Sequence, residues 1–259
     1  MNKIIFRIVN LLKTLAVLMY SFLSSPQKCV VCNKKTLLIP LCAECRKLHY
    51  YSKFSSPDYF KNRCTLCGRP LISTSETCHS CREVPVLKNV DLSFPLFSYR
   101  LWNKELLFLW KIQGIRLLSP FFASLYAQAL KVFSVKYIVP VPPRPGKIKK
   151  NGWDQIDEVS KFLSFKYGFC ILKLLERTTD FQQKKLGRDD RLKKSESSYC
   201  IKGEKAIARE LKKCGGAYPS SVCILDDVCT TGSTLESCAS ILRVHTGIKT
   251  IYCMTLFLV

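Results

Sequence analysis

Short apolar runs bounded by polar or turn-forming residues recur in the second half of the chain and predict buried strands. Three such runs cover residues 136–141, 222–225 and 249–259, and each is rich in Val, Ile, Leu or aromatic residues. The middle run stops at two adjacent carboxylates, Asp226 and Asp227, so we expect its strand to end there. Nearly continuous apolar strands are typical of a parallel sheet that is covered on both faces.

Apolar residues at helical spacing predict the covering helices. Residues 101–133 are predicted to be helical, with interruptions near Gly114 and at Ser119 and Pro120. Asp154 is placed to cap a further helix. The apolar faces of that helix and of the last predicted helix contain Ile156, Val159, Phe162, Leu163, Leu235, Cys238, Ile241 and Leu242. Strands that alternate with helices predict an α/β fold with a mostly parallel sheet.

The N-terminal segment mixes basic and apolar residues. Lys3, Arg7 and Lys13 stand ahead of or beside an apolar run over residues 15–23, which resembles a signal peptide. The run is too short to span a bilayer, and no small-residue cleavage site follows it. The apolar residues recur at helical spacing, so residues 1–25 are predicted to form an amphipathic helix. Such a helix docks on the protein or lies on a membrane surface, and we favour docking.

Eight cysteines form four C-x-x-C pairs, a spacing typical of zinc-binding knuckles. Two pairs supply the four sulfurs of a closed tetrahedral site, which has a structural or docking role. The simplest assignment is two consecutive zinc ribbons, and an interleaved pairing stays open. Disulfides are not favoured, because the total of 15 cysteines is odd and the other seven are scattered. The predicted zinc ligands are Cys29, Cys32, Cys42, Cys45, Cys64, Cys67, Cys78 and Cys81.

A change in composition around Asp91, from cysteine-rich to apolar and aromatic, indicates a domain boundary. We predict an N-terminal helix over residues 1–25, a double zinc ribbon over residues 26–90 and an α/β domain over residues 91–259. With 259 residues and 47% apolar composition, the chain is long enough for one full α/β core and a small appendage.

The chain is strongly basic, with 41 Lys and Arg against 19 Asp and Glu and a formal net charge of +22. This charge favours binding to a polyanion through counterion release, and nucleic acid is a suitable partner. The alternative is a lysine-rich surface that only keeps the protein in solution, because no single long basic block stands out.

The loop after Asp226 and Asp227 combines hydroxyl groups with one glycine and precedes a helix. Backbone N–H groups at a helix N-terminus bind phosphate, and the two carboxylates can accept hydrogen bonds from sugar hydroxyls. The pattern therefore predicts a sugar-phosphate site. Its loop residues are Thr230, Thr231, Gly232, Ser233 and Thr234.

The string DDVCTTGST resembles the phosphoribosyl-pyrophosphate (PRPP) signature of type I phosphoribosyltransferases. The resemblance implies that Asp226 and Asp227 hold the ribose 2′ and 3′ hydroxyls and that residues 230–234 surround the 5′-phosphate. It also implies that Mg²⁺ accompanies PRPP, and that the α/β domain has the type I phosphoribosyltransferase-like fold.

A second motif lies in the basic segment after residue 139. Its prolines are predicted to hold Arg144, Lys147, Lys149 and Lys150 on a stiff, exposed loop. This loop, the segment 152–155 and the residues Arg177, Thr178, Gln182 and Leu186 together resemble the ComF family (competence protein F and GntX-like proteins). The resemblance covers nearly the whole chain. It implies a pyrophosphate loop at Val141, Pro142, Pro143 and Arg144 and a mobile loop that includes Arg177, Gln182 and Arg191.

The chain departs from the ComF pattern at Asn151, where the family usually has arginine, and at Lys194, where it has asparagine. Purine phosphoribosyltransferases carry an aspartate at the position of Thr230, and threonine is no general base at neutral pH. The catalytic residues and the acceptor base are therefore unknown.

The ComF resemblance implies a cytoplasmic protein of DNA uptake and natural transformation that handles single-stranded DNA, with a competence helicase as a partner. The alternative is an active Mg²⁺-dependent phosphoribosyltransferase of nucleotide metabolism or salvage.

Overall fold

The computed structural model describes residues 16, 19–71, 75–83, 85–178 and 198–259. Its centre is a five-stranded, fully parallel sheet with the strand order β1-β7-β6-β2-β3, and a separate hairpin, β4-β5, is antiparallel. The predicted α/β fold with a parallel sheet is confirmed, and the three apolar runs are β2, β6 and β7. The strands are β1 Leu92–Ser98, β2 Tyr137–Pro140, β3 Cys170–Ile171, β4 Leu175–Arg177, β5 Tyr199–Ile201, β6 Ser221–Cys229 and β7 Thr250–Leu258.

Helices flank the sheet, and the three short helices α1 to α3 precede it in the cysteine-rich region. The predicted interruptions are present, because residues 112–115 separate α4 from the next helical turn and Pro120 stands in the first turn of α5. Asp154 caps α7 as predicted and accepts hydrogen bonds from two backbone N–H groups at 3.0 Å. The helices are α1 Ala43–Arg46, α2 Ser52–Phe54, α3 His79–Glu83, α4 Trp102–Lys111, α5 Ser119–Val132, α6 Lys147–Asn151, α7 Gln155–Tyr167, α8 Glu204–Leu211 and α9 Ser233–His245.

Two apolar cores cover the two faces of the sheet. One core contains Trp110, Phe122 and Leu163 of α4, α5 and α7. The other contains Leu235 and Leu242 of α9 with residues of α8 and the hairpin. Because each face of the sheet is buried, its strands carry continuous apolar runs with few polar interruptions.

Strand β1 was not predicted, because Pro95 interrupts its pattern. Proline has no backbone N–H to donate, which argues against a central strand. In the structure β1 lies at the edge of the sheet and pairs with β7 alone. An edge strand tolerates proline, so the residues on either side of Pro95 still pair with β7.

The cysteine-rich region packs against β1 and α5 and shares their core. Tyr50 is buried against Phe97 and Phe121, and its hydroxyl donates a hydrogen bond of 2.7 Å to Asn103. Gly68 approaches the edge of β1 so closely that an added Cβ would lie 2.2 Å from the Ser93 carbonyl oxygen. These contacts fix the region to the sheet, and the predicted domain boundaries stay predictions.

Of the predicted N-terminal helix, only residue 16 and residues 19–25 are described, and residues 19–24 are helical. Ser21 is buried and accepts a hydrogen bond of 3.3 Å from the Arg116 backbone N–H. Within the described parts of the chain, no helix has the length and apolar character needed to cross a membrane.

Candidate functional site

The predicted acidic pair lies within β6, beside the point where β2 has ended. β2 pairs with β6 only as far as Leu225, whereas β7 stays paired as far as Cys229. The prediction that the strand ends at Asp226 is therefore wrong, because pairing with β7 continues it. Because β2 ends before β6 does, a crevice opens beside β6 at the carboxyl ends of the parallel strands. Ligands of α/β proteins commonly bind in such a crevice.

The crevice widens into a cavity of about 1200 Å³. Of the predicted site residues, those that line it are Val141, Pro142, Pro143, Arg144, Arg177, Asp226, Asp227, Thr230 and Thr234. Thr231, Gly232 and Ser233 belong to the same loop without lining the cavity. Gln182 and Arg191, together with Lys194, fall outside the described residues. The structure thus brings the acidic pair and the predicted pyrophosphate loop to one cavity.

Lys111 is the polar partner of the acidic pair that sequence reasoning missed. Asp227 is buried, and its Oδ2 lies 2.6 Å from Lys111 Nζ at the end of α4. Asp226 Oδ1 accepts a hydrogen bond of 2.9 Å from the Asp227 backbone N–H. The buried Tyr126 hydroxyl donates to the Asp226 carbonyl oxygen. Both carboxylates are therefore fixed in place, and one positive charge accompanies them.

The environment of Asp226 makes its ionisation costly. Burial, and secondly the negative charge of Asp227, raise the pKa of Asp226 to about 7 against the attraction of Lys111. Asp226 consequently changes its protonation state near neutral pH. As an ionised group it is a strong acceptor for sugar hydroxyls, so ligand binding and pH are linked at this residue.

Replacement of Asp226 by Asn is expected to stabilise the protein more at high pH than at low pH. The pKa of Asp226 is raised in the folded state, so its stabilising contribution is fully present below the unfolded pKa of about 4 and is lost as the pH rises through about 7. Between pH 5.5 and 8.5, the unfolding free energy of Asp226→Asn should rise relative to the parent by about 1 kcal/mol or more.

Urea denaturation at the two pH values measures this difference. The exposed carboxylate Asp58 gives the control, and Asp58→Asn should follow the parent at both pH values. An equal effect of Asp226→Asn at the two pH values would contradict the raised pKa of Asp226.

The hydroxyl-rich loop joins β6 to α9 through Gly232, whose φ of +87° is left-handed and favours glycine. The Thr231 hydroxyl lies 2.8 Å from the Ser233 hydroxyl and accepts from the Ser233 backbone N–H at 3.4 Å. Thr230 and Thr234 line the cavity on either side of this turn. The N-terminus of a 13-residue helix therefore lies next to the two carboxylates, and such a helix end favours an anion.

The basic segment that lines part of the cavity wall differs from the predicted loop. It contains the one-turn helix α6, which begins after Gly146 and ends before Gly152. Both glycines are left-handed, with φ of +77° and +75°, so they allow the chain to turn into and out of the helix despite the nearby prolines. Asn151 is its last residue and lines the cavity.

The cations of this wall fall into two groups. Lys147 is neutralised by Asp154 at 2.6 Å. Arg144 and Lys150 also line the cavity, and no carboxylate among the described residues forms an ion pair with either. Arg177 approaches from the hairpin and lies over the Tyr199 ring at 5.2 Å. The cavity therefore holds positive charge that can meet an anionic ligand beside the acidic pair.

The eight predicted zinc ligands form two groups of four. In each group the sulfur atoms all lie within 4.8 Å of one another. The groups are consecutive along the chain, which is the simpler of the two predicted arrangements. Burial acts to raise the pKa of Cys29 and of Cys64, but several backbone hydrogen bonds together outweigh it and lower the pKa of each to about 7. Four sulfurs at this separation can hold one zinc ion in each group.

The fold and the site define an α/β protein with a parallel sheet, an acidic pair at its carboxyl edge and two four-cysteine groups. No protein-family model matches the chain. The chain is similar to Competence protein ComFC of Streptococcus pneumoniae (strain ATCC BAA-255 / R6), with 25% identity over 184 residues. The aligned part covers 71% of this chain and 75% of the relative.

Proposed function

We propose that this chain is a ComF-like competence protein with a binding site for PRPP or a related ribose phosphate. The main support for this ligand is the cavity lined by Asp226 and Asp227 together with Arg144 and Lys150, two cations that form no ion pair with a carboxylate in the part of the chain that the structure describes. A pentose phosphate matches this arrangement, because its hydroxyls need acceptors and its phosphates need cations and N–H groups. The similarity to ComFC supports a role in competence.

The proposed residue roles follow the charges in the cavity. Asp226 and Asp227 accept hydrogen bonds from the ribose hydroxyls, and the loop at residues 230–234 takes the 5′-phosphate. Arg144 and Lys150 meet the pyrophosphate oxygens. Mg²⁺, when bound with PRPP, would neutralise part of the pyrophosphate charge. The fold proposed for residues 91–259 is that of a type I phosphoribosyltransferase-like domain.

We propose that each four-cysteine group holds one structural zinc ion. Four protein sulfurs complete a tetrahedral shell and leave no open position for water or substrate. Because Cys29 and Cys45 belong to the core shared with α5, a metal at this group also supports the sheet. The zinc ions are therefore assigned to stability and docking.

The proposed role in natural transformation is the handling of single-stranded DNA in the cytoplasm, with a competence helicase as a partner. A net charge of +22 supports this role, since it provides many contacts for phosphates. Partly exposed aromatic residues near the cavity, such as Tyr99 and Phe108, offer surfaces on which unpaired bases can stack.

Affinity for single-stranded DNA should fall steeply with salt. We expect a linear decrease of log K with log salt and a slope steeper than about −2, which corresponds to at least three phosphate contacts at about 0.7 each. Fluorescence anisotropy with a labelled oligothymidine between 50 and about 300 mM salt measures the slope. Binding at low salt no stronger than that of a neutral protein of similar size would exclude this role.

A second candidate is an active phosphoribosyltransferase of nucleotide metabolism. The size of the cavity favours it, because about 1200 Å³ leaves room for an acceptor beside a sugar phosphate. Release of pyrophosphate from PRPP in the presence of Mg²⁺ and a panel of nucleobases tests this activity. Release that depends on one base would support transfer, and its absence with every base would favour binding alone.

A further inference from the structure

The residues between the second cysteine group and β1 cross the start of α9, directly behind the hydroxyl-rich loop. We call residues 85–91 the strap. Leu87 of the strap is buried against the loop, and a Cβ added at Gly232 would lie 3.2 Å from its Cδ2 atom. The same added Cβ would lie 3.5 Å from Leu87 Cγ and 3.7 Å from Val86 Cγ1. The strap thus packs on the residue at which the loop turns into the helix.

Glu236, in the first turn of α9, holds the strap through three hydrogen bonds. Its Oε2 accepts from the backbone N–H groups of Lys88 at 2.8 Å and Asn89 at 3.0 Å. Its Oε1 accepts from Asn89 Nδ2 at 2.6 Å. Both carboxylate oxygens are therefore occupied, and hydrogen bonds to an ionised acceptor are stronger than neutral ones.

The strap is also fixed at its far end. Arg243 in the last turn of α9 donates to the Asn89 carbonyl oxygen at 3.3 Å and forms an ion pair with Asp91. Asp91 accepts a hydrogen bond of 2.6 Å from the Ile251 backbone N–H in β7. The strap is thereby held against both ends of α9 and against the sheet.

We infer that Glu236 is a positioning residue for the ligand site, acting through the strap, and that the strap couples the second cysteine group to the anion-binding loop. The inference rests on the proposed ribose-phosphate function. Glu236 itself does not line the cavity, so its effect is indirect. Cys78 and Cys81 precede the strap by only a few residues, and this short connection is the basis for the inferred coupling to Leu87 and Gly232.

The test compares ribose 5-phosphate binding to the full chain and to variants at Glu236 by calorimetry. Glu236→Ala removes all three acceptor contacts and should weaken binding about tenfold, a typical size for coupling between sites. Glu236→Gln keeps one acceptor oxygen and should restore part of the affinity. Glu204→Ala is the matched control, because Glu204 is an exposed acidic residue in the first turn of α8. Unchanged affinity in Glu236→Ala would overturn the inference.

Hydrogen exchange of the loop amides separates failure of this inference from failure of the proposed function. Glu236→Ala should exchange faster at residues 231–235 than the parent, and Glu204→Ala should not. If the parent protein does not bind ribose 5-phosphate, the proposed ligand is wrong. The exchange rates of the loop amides then still show whether the strap positions the loop. Unchanged rates would refute the positioning role.

A comparison of two cysteine variants tests whether the second cysteine group is coupled to the anion-binding loop. Cys81→Ser, in the second group, should weaken ribose 5-phosphate binding more than Cys32→Ser in the first. In a Glu236→Ala background, Cys81→Ser should add little, because the connection is already broken. Equal effects of the two serine variants, or full additivity with Glu236→Ala, would refute coupling through the strap.

Discussion

The double variant Asp226→Asn, Asp227→Asn is expected to lose at least about 100-fold in affinity for ribose 5-phosphate while keeping its fold. Hydrogen bonds to charged acceptors contribute about 1.5–3 kcal/mol each, and the variant removes the charge from both acceptors of the ribose hydroxyls. The variant loses the ion pair between Asp227 and Lys111, but it also removes the costly ionisation of Asp226. Because the second change offsets the first, the fold should persist. Calorimetry gives the affinity, and circular dichroism with thermal unfolding gives the fold.

Asp157→Asn is the matched control for this loss. Asp157 forms ion pairs with Lys161 and Lys173 and does not line the cavity. It should leave ribose 5-phosphate binding within about twofold of the parent, since neither Asp157 nor its two lysine partners line the cavity. A double variant that binds ribose 5-phosphate like the parent would show that the site has been assigned wrongly.

Removal of one cysteine ligand is expected to cause the loss of one of the two zinc ions and to destabilise the protein strongly. Cys45→Ser and Cys78→Ser should each lower the zinc content from about two to about one, because a closed site needs all four ligands. The unfolding free energy should fall by about 3 kcal/mol or more, since structural zinc contributes its binding energy to folding. Cys45 should have the larger effect, because it lies in the core shared with α5.

Mass spectrometry of the metals and urea denaturation measure these two results. Cys214→Ser is the control, because Cys214 is a partly exposed cysteine outside both groups. It should retain both zinc ions and the stability of the parent. Full zinc content in Cys45→Ser or Cys78→Ser would contradict the assignment of that residue as a ligand.

The elements that the sequence predicts well are those with strong local patterns. β2, β6 and β7 are continuous apolar runs, and α7 has both an apolar face and a capping residue, Asp154. β1 and β3 lack such a pattern, because one contains proline and the other has two residues. Where pairing extends over long sequence distances, as between β4 and β5, local periodicity carries no signal.

In the candidate site as well, neighbours in sequence could be predicted and contacts between distant residues could not. The motif predicts Asp226, Asp227 and the loop up to Thr234 as neighbours, because they are adjacent in sequence. Lys111 lies over a hundred residues away and ends a helix with no distinguishing motif, so its contact with Asp227 needs the tertiary structure. The strap is likewise invisible in sequence, since Glu236 resembles any acidic residue in a first helical turn.

Pro95 and the second cysteine group both limit the access of another molecule to the β1 edge of the sheet. An exposed strand edge can recruit a strand from another molecule. Here Gly68 lies against Ser93 and Pro95, and Arg63 donates to the Pro95 carbonyl oxygen at 3.0 Å. Pro95 offers no N–H for an incoming strand. The second cysteine group and the proline together hinder the addition of a strand from another molecule to this edge of the sheet.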